Sequence, residues 1–297
     1  MWLKYGADTT GNIISIENSG RGKPQLNCIY CGGYLIAKKG NIKEHHFAHT
    51  QETCRSVSQR IKSNFPSLPL YDNFHIQLAG KELEALKVLW KQYGCSKHPI
   101  PKDLINLKWV FKKLLEQKNE GYYFTDLGKI PLGALSISGF IKIQETLMMA
   151  ELDKLERAVH LAEAASLCSL PEKLGDLKIY KAQLKRILSS NLYLLVVQAD
   201  GQTFHKIGVT SRPIQERLSE INYDLSQHFS NVTLNLLGTW QHRANVELYF
   251  KYRYKRFNFP IGSLTEYFKF ATIDPILKEL QRMPPKIMSE VELRVFL

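Results

Sequence analysis

At 297 residues the chain has room for two or three domains, and 40 Lys and Arg against 28 Asp and Glu give a formal charge of +12 and a pI near 9.3. That surplus suits a polyanion partner such as nucleic acid, held largely through its phosphates and so with strong salt dependence, although a lysine-rich surface alone would give the same totals. Five cysteines without a signal peptide after Met1-Trp2 argue against a disulfide framework and for a cytoplasmic location, and no apolar run approaches the roughly 18 residues of a membrane span. No repeat or low-complexity tract is visible.

In chain order, the first constellation is Cys28 and Cys31, a C-x2-C pair followed by Gly32-Gly33, then His45-His46-Phe47-Ala48-His49 and Cys54. The spacing C-x2-C-x17-H-x4-C through His49 is typical of a structural Zn²⁺ site with thiolate and imidazole ligands in a tetrahedron. His46, three residues before His49, is an alternative ligand. Catalytic or redox-sensing thiols are the competing reading; a zinc staple for a module too small to hold itself together is favoured. Cys95 and Cys168 stand alone and read as buried small residues. Residues 1 to about 60, with Ala7 and Gly11 in an early hairpin, resemble the N-terminal zinc-binding domain of competence CoiA-like proteins, in which a C-x2-C ribbon precedes an H-F-A-H motif and a further cysteine. Members of that family carry a restriction-endonuclease-like catalytic domain afterwards. No acidic pair with lysine at that spacing follows here, so the nuclease module reads as exchanged.

The middle reads as mostly helical. Leu78 to Trp90 is amphipathic, Pro99-Ile100-Pro101 breaks it, and Leu104 to Leu115 resumes the pattern. Gly121 to Ile137 reads as irregular. From Ile143 to about Leu170, Met148, Leu152, Leu155, Val159 and Ala162 form a helix-packing seam ended by Pro171, with His160 packing beside it, and a last helix covers about Leu177 to Leu188. The segment is a connector or a target-reading domain.

The densest chemistry lies in the last third. The apolar run Leu192 to Val197 and the run Thr203 to Thr210 flank Asp200-Gly201, a hairpin turn signal. A two-residue turn pairs Ala199 with Gln202 and sets Tyr193 opposite Gly208, so that Tyr193, Leu195, Lys206 and Gly208 share one face and Gly208 leaves room above it for a large ligand. Thr210 or Ser211 then caps a helix with Pro213 at its first position and Arg217 within it. After a strand at Val232 to Leu237, a helix from about Ala244 to Phe257 carries Glu247 at the edge of its apolar stripe. Each residue alone also reads blandly, as strand core, solvated arginine, surface carboxylate or strand-edge lysine. In this order, tyrosine, glycine-ended strand, helical arginine and helical glutamate make the working set of a one-metal phosphodiesterase.

The segment from Asn191 to about Phe270 resembles a GIY-YIG nuclease domain. Tyr193 stands for the first tripeptide and Lys206-Ile207-Gly208 for the second, with Gly208-Val209-Thr210 similar to a branch of the family whose second motif reads K-I-G. Arg217 and Glu247 match the arginine and metal-binding glutamate, and Glu266-Tyr267-Phe268 resembles the E-W-F-like strand that closes the same branch. The resemblance implies that Glu247 holds one catalytic Mg²⁺ (or Mn²⁺), that Arg217 contacts the non-bridging phosphate oxygens, and that Tyr193 is the base or positions the water. A phenol needs a neighbouring cation to serve as base, a role expected of Lys206.

The expected fold class is α+β and multi-domain: an N-terminal zinc-ribbon-like β module (1–70), a helical middle region (71–189) and a C-terminal GIY-YIG-like small antiparallel sheet flanked by helices (190–297). The expected function is a divalent-metal-dependent endonuclease hydrolysing phosphodiester bonds in DNA. Lys38-Lys39, Arg55, Arg60 and Lys62, and Lys251, Arg253, Lys255 and Arg256 interleaved with Tyr252 and Tyr254, are its expected nucleic-acid surface. The alternative is a catalytically silent nucleic-acid-binding or regulatory protein, and RNA is a third possibility. Neither protein partners nor an oligomeric state can be read.

Overall fold

A computed structural model describes residues 3–22, 24–58, 65–94, 98–119 and 121–296. In chain order its elements are β1 (Tyr5–Ala7), β2 (Ile13–Ser15), β3 (Leu35–Lys38), β4 (His46–His49), α1 (Arg55–Ser58), α2 (Gly80–Tyr93), α3 (Leu107–Phe111), β5 (Leu115–Lys118), β6 (Gly121–Phe124) and α4 (Asp126–Lys129). They continue with α5 (Ile137–Ala164), α6 (Leu170–Leu188), β7 (Asn191–Ala199), β8 (Gln202–Thr210), α7 (Ile214–Ser226), β9 (Val232–Trp240), α8 (Val246–Arg253), β10 (Tyr267–Phe268), α9 (Asp274–Gln281) and α10 (Glu290–Leu293). The architecture is mixed α+β with small antiparallel sheets. Among the described residues no helix is long and apolar enough to cross a membrane.

The chain divides into two compact units, one of Met1–Leu68, Met148–Lys185 and Val291–Leu297, the other of Pro69–Leu147 and Arg186–Glu290. In the first, β1 and β2 form the early hairpin, with Gly11 at φ +86° and the Asp8 carboxylate accepting the backbone N–H groups of Thr10 and Asn12. β3 pairs with β4, Ala37 opposite Phe47, over a core of Leu3, Ile16, Leu26, Leu35, Phe47 and Val57. Two hydroxyls fasten helical residues in this unit: Tyr30 donates to Asp176 at 2.8 Å and Tyr180 to the Met148 carbonyl at 2.7 Å. Cys168 and His160 are exposed rather than packed, and Cys95 lies outside the described residues.

The second unit is built on a four-stranded antiparallel sheet of order β10-β8-β7-β9. The β7–β8 register is the one expected, Ala199 opposite Gln202 and Tyr193 opposite Gly208, closed by Asp200 (φ 44°) and Gly201 (φ 77°) as a two-residue turn of the primed kind that matches strand twist. Alternation then gives two apolar faces. Leu192, Leu194 and Ile207 pack with Val246 and Phe250 of α8 and Leu280 of α9, while Tyr193, Leu195, Val197 and Phe204 pack with Ile221 and Leu225 of α7. Beyond the sheet, Phe140 stacks on Tyr249 at 3.9 Å between ring centres, and Phe74 meets both rings edge-on. Each such buried side chain contributes roughly 1.5–3 kcal/mol of burial free energy.

Three local expectations are corrected. The helix expected from Leu104 to Leu115 is only α3, because Lys113 adopts a left-handed φ of 56° and the chain turns into the β5–β6 hairpin, whose Tyr122-Tyr123-Phe124 run favours a strand. α5 starts earlier, at Ile137, and stops at Ala164, where Ser166 takes φ 47°. Pro171 opens α6 instead of closing α5, a place where its missing N–H is no loss. The hairpin register also sets a test. A Cβ at Gly208 would lie 2.4 Å from the Tyr193 hydroxyl and 2.6 Å from Cζ. Gly208→Ala is therefore expected to lower the unfolding free energy by about 1–3 kcal/mol, read by denaturant titration; unchanged stability would contradict this packing.

Candidate functional site

The hairpin positions Tyr193 and Lys206 on one face, but Gly208 does not leave the expected room for a ligand. The fully buried Tyr193 ring fills that space itself. α7 brings Arg217 over the phenol, its Nε donating to the Tyr193 hydroxyl at 3.3 Å and its Nη1 to Glu220 at 2.8 Å. Glu220 also takes Arg212 at 2.6 Å, so two guanidiniums share one carboxylate, with the charge of Glu216 acting on Arg212 as well. The cation against Tyr193 is thus Arg217, not Lys206. Burial raises the Tyr193 phenol, and the Arg217 hydrogen bond and charge offset only part of that, so the hydroxyl is protonated at neutral pH.

Lys206 is buried, with its ammonium 4.7 Å from the centre of the Tyr267 ring and 2.8 Å from Glu266 Oε2. Lys251, one turn beyond Glu247 on α8, bridges the two carboxylates, 2.9 Å from Glu247 Oε1 and 2.7 Å from Glu266 Oε1. The four groups form a continuous chain, Lys206–Glu266–Lys251–Glu247. Burial pushes the Glu266 carboxyl up, but the ammonium groups of Lys206 and Lys251 outweigh it and hold it at about 2. Burial lowers the Lys206 ammonium despite Glu266, helped by the charges of Arg217 and Lys251. Spacing could have flagged Lys251, four residues after Glu247 on a helix. The part played by Glu266, sixty positions beyond Lys206, had no local signal. Glu247 and Glu266 present hard carboxylate oxygens around a point already held by a positive charge, a donor set that suits Mg²⁺ or Mn²⁺.

In the other unit, Cys28, Cys31, His49 and Cys54 come together, their ligand atoms all within 4.8 Å of one another and Cys31 Sγ 3.3 Å from His49 Nε2. Zinc–sulfur bonds of 2.3 Å imply tetrahedral edges of about 3.8 Å, so this cluster can hold a metal ion and is consistent with Zn²⁺. The knuckle forms as the glycines suggest: Gly32 takes φ 72°, its N–H bonds to the Cys28 carbonyl at 2.8 Å, and the Gly33 N–H reaches Cys31 Sγ at 3.4 Å. Burial raises the Cys28 thiol to about 12 and raises the Cys54 thiol too, so a bound cation is what would keep them as thiolates. His46 is not among the converging groups. It shares strand β4 with His49, and an odd offset along a strand points the two to opposite faces; its Nδ1 meets the Glu44 carbonyl at 2.8 Å.

The expected basic surface is thinner than its sequence. Tyr252 donates its hydroxyl to the Pro131 carbonyl and packs 5.0 Å from Phe74, while Tyr254 donates to Glu279 at 2.7 Å, so neither ring is free to stack on a base. Arg253 bonds the Leu135 carbonyl and pairs with Glu279. Lys255 and Arg256 remain exposed, as do Lys38 and Arg55, whereas Lys39 donates to the Ser19 carbonyl. Arg60 and Lys62 lie outside the described residues.

Residues 191–284 match the T5orf172 domain, which is found in GIY-YIG/HNH-like nuclease-associated proteins. The similarity suggests a nuclease or nucleic-acid-binding role for a segment that contains Tyr193, Lys206, Arg217, Glu247, Lys251 and Glu266. Comparison with curated proteins and with solved structures finds no match.

Metal analysis of the purified protein is expected to find one zinc per chain. His49→Ala and Cys54→Ala should lose it and His46→Ala should keep it. No zinc, or equal loss on substituting His46, would contradict the ligand set.

Proposed function

We propose that the protein is a divalent-metal-dependent endonuclease that hydrolyses phosphodiester bonds in DNA. The observation that carries the reading is the convergence of Tyr193, Arg217, Lys206 and, through Glu266 and Lys251, Glu247 within a segment similar to nuclease-associated domains. Residues 190–297 are the nuclease domain, 71–189 a connector or recognition region and 1–70 a module stapled by Zn²⁺, a thiolate site suited to the reducing cytoplasm.

Glu247 would hold Mg²⁺ or Mn²⁺, which would supply Lewis-acid charge at the phosphate. Arg217, with a planar fork of donors, binds the non-bridging oxygens as negative charge builds on them. Tyr193, protonated and anchored to Arg217, donates a hydrogen bond that positions water or phosphate; it is not the base. Burial lowers the Lys206 ammonium, but its 2.8 Å ion pair with Glu266 opposes that, so it would add positive charge beside the phosphate and is not assigned as the base. The net charge suits the phosphate backbone of either nucleic acid, and duplex DNA is the substrate proposed.

The test is cleavage of supercoiled plasmid and linear duplex with Mg²⁺ or Mn²⁺. Arg217→Ala is expected to slow cleavage by about 10²–10³-fold, with Arg217→Lys failing to restore it, and Glu247→Gln to abolish cleavage while leaving DNA binding. Binding without cleavage for every metal and substrate would replace the enzyme by a silent nucleic-acid-binding module.

A further inference from the structure

The segment similar to T5orf172 begins at residue 191, yet two residues outside it bear on the helix of Glu247: Gln144, which bonds Asn245, and Tyr71, which feels the Glu247 charge. Gln144 of α5, completely buried, donates to the carbonyls of Pro69 (3.3 Å) and Leu70 (2.9 Å), and its amide oxygen accepts from Asn245 Nδ2 at 3.0 Å. Asn245 is the residue before α8, two positions from Glu247. One buried amide therefore ties the backbone next to Tyr71 to the start of the helix that bears Glu247. The loop is held against a conformational preference: Leu70 takes φ 53°, a left-handed value disfavoured for a residue with a β-carbon. Phe74 then locks the loop from its other side, 5.5 Å from Tyr249 and 5.0 Å from Tyr252 of the same helix. A left-handed residue held by a buried amide clamp is characteristic of a positioned functional segment.

What the clamp positions is a cation. The Arg186 guanidinium stacks over the Tyr71 ring at 5.7 Å, is exposed, and among the described residues has no carboxylate partner. The half-buried phenol feels its neighbours: burial raises it, the charge of Arg186 lowers it, and Glu247 and Lys251 act on it in opposite directions. The ion-paired Lys206 and Lys251 are neutralised by Glu266 and Glu247, whereas Arg186 keeps its full charge on a ring that restricts its motion.

We infer that Arg186, presented on Tyr71, is a second phosphate-binding position of the site, taking a backbone phosphate of duplex DNA that neighbours the one bound at Glu247 and Arg217. The inference rests on the nuclease reading above. Its chemistry is that of a guanidinium with its donors free, matched to phosphate oxygens, and its consequence is one more phosphate contact than the matched segment supplies.

The experiment is the salt dependence of duplex binding, measured with Ca²⁺ in place of Mg²⁺ for the full-length protein, Arg186→Ala, Arg186→Lys and, as an exposed arginine elsewhere in the same unit, Arg282→Ala. One lost phosphate contact lowers the slope of log K against log salt by about 0.9. That loss is expected for Arg186→Ala, with the wild-type slope kept by Arg186→Lys and Arg282→Ala. An unchanged slope in Arg186→Ala, or an equal loss in Arg282→Ala, would overturn the subsite while leaving the nuclease reading intact. Failure of the wild-type protein to bind duplex at all would remove the reading on which the subsite depends.

Discussion

Burying Lys206 on a strand obliges the chain to bring a counter-charge to it, and much of the site follows from that requirement. An ammonium withdrawn from water is tolerated only when paired and hydrogen-bonded. Glu266 meets it from the residue before β10, and its other carboxylate oxygen takes Lys251, which in turn pairs with Glu247. The strand order β10-β8-β7 makes this possible by laying Tyr267 opposite Lys206. Tyr193 and Arg217 form a second, smaller assembly on the same face, fixed by the fit of the phenol over Gly208. The two assemblies differ in kind: one sets guanidinium groups against a phenol, the other holds carboxylates whose counter-ions are ammonium groups.

Much of this arrangement was legible in local pattern. Asp200-Gly201 specified a two-residue turn, and from the turn alone the register followed, residue by residue, to Tyr193 opposite Gly208. The convergence of Cys28, Cys31, His49 and Cys54 was legible because thiol and imidazole spacing of this kind is chemistry that little else explains. What stayed hidden was non-local or depended on the state of a backbone. Glu266 lies sixty positions from Lys206, and Gly208 is filled by a side chain from the paired strand, so its emptiness in sequence was misleading as to space. His46 and His49 exchange candidacy depending on whether three residues span a helical turn or cross a strand. Pro171 marks a boundary in either direction, and the left-handed φ of Ser166 and Lys113 left no sequence signal to place the breaks.

The region between the two motif-bearing segments is more than a spacer. Its buried residues Gln144 and Phe140 pack against Asn245 and Tyr249, so the helix carrying Glu247 is oriented by side chains from beyond the matched segment. Tertiary packing of this kind is carried by the fold rather than by a motif, and it joins residues outside 191–284 to the helix that bears Glu247.

The measurement that bears most directly on the account is anomalous diffraction from crystals grown with Mn²⁺ and a duplex resistant to cleavage. The expected result is a manganese peak on the Glu247 carboxylate, with Lys251 turned away and a backbone phosphate on Arg217. Manganese absent from Glu247, with the Lys251 bridge to Glu266 intact while DNA is bound, would contradict it and leave the four residues as a structural ion-pair network.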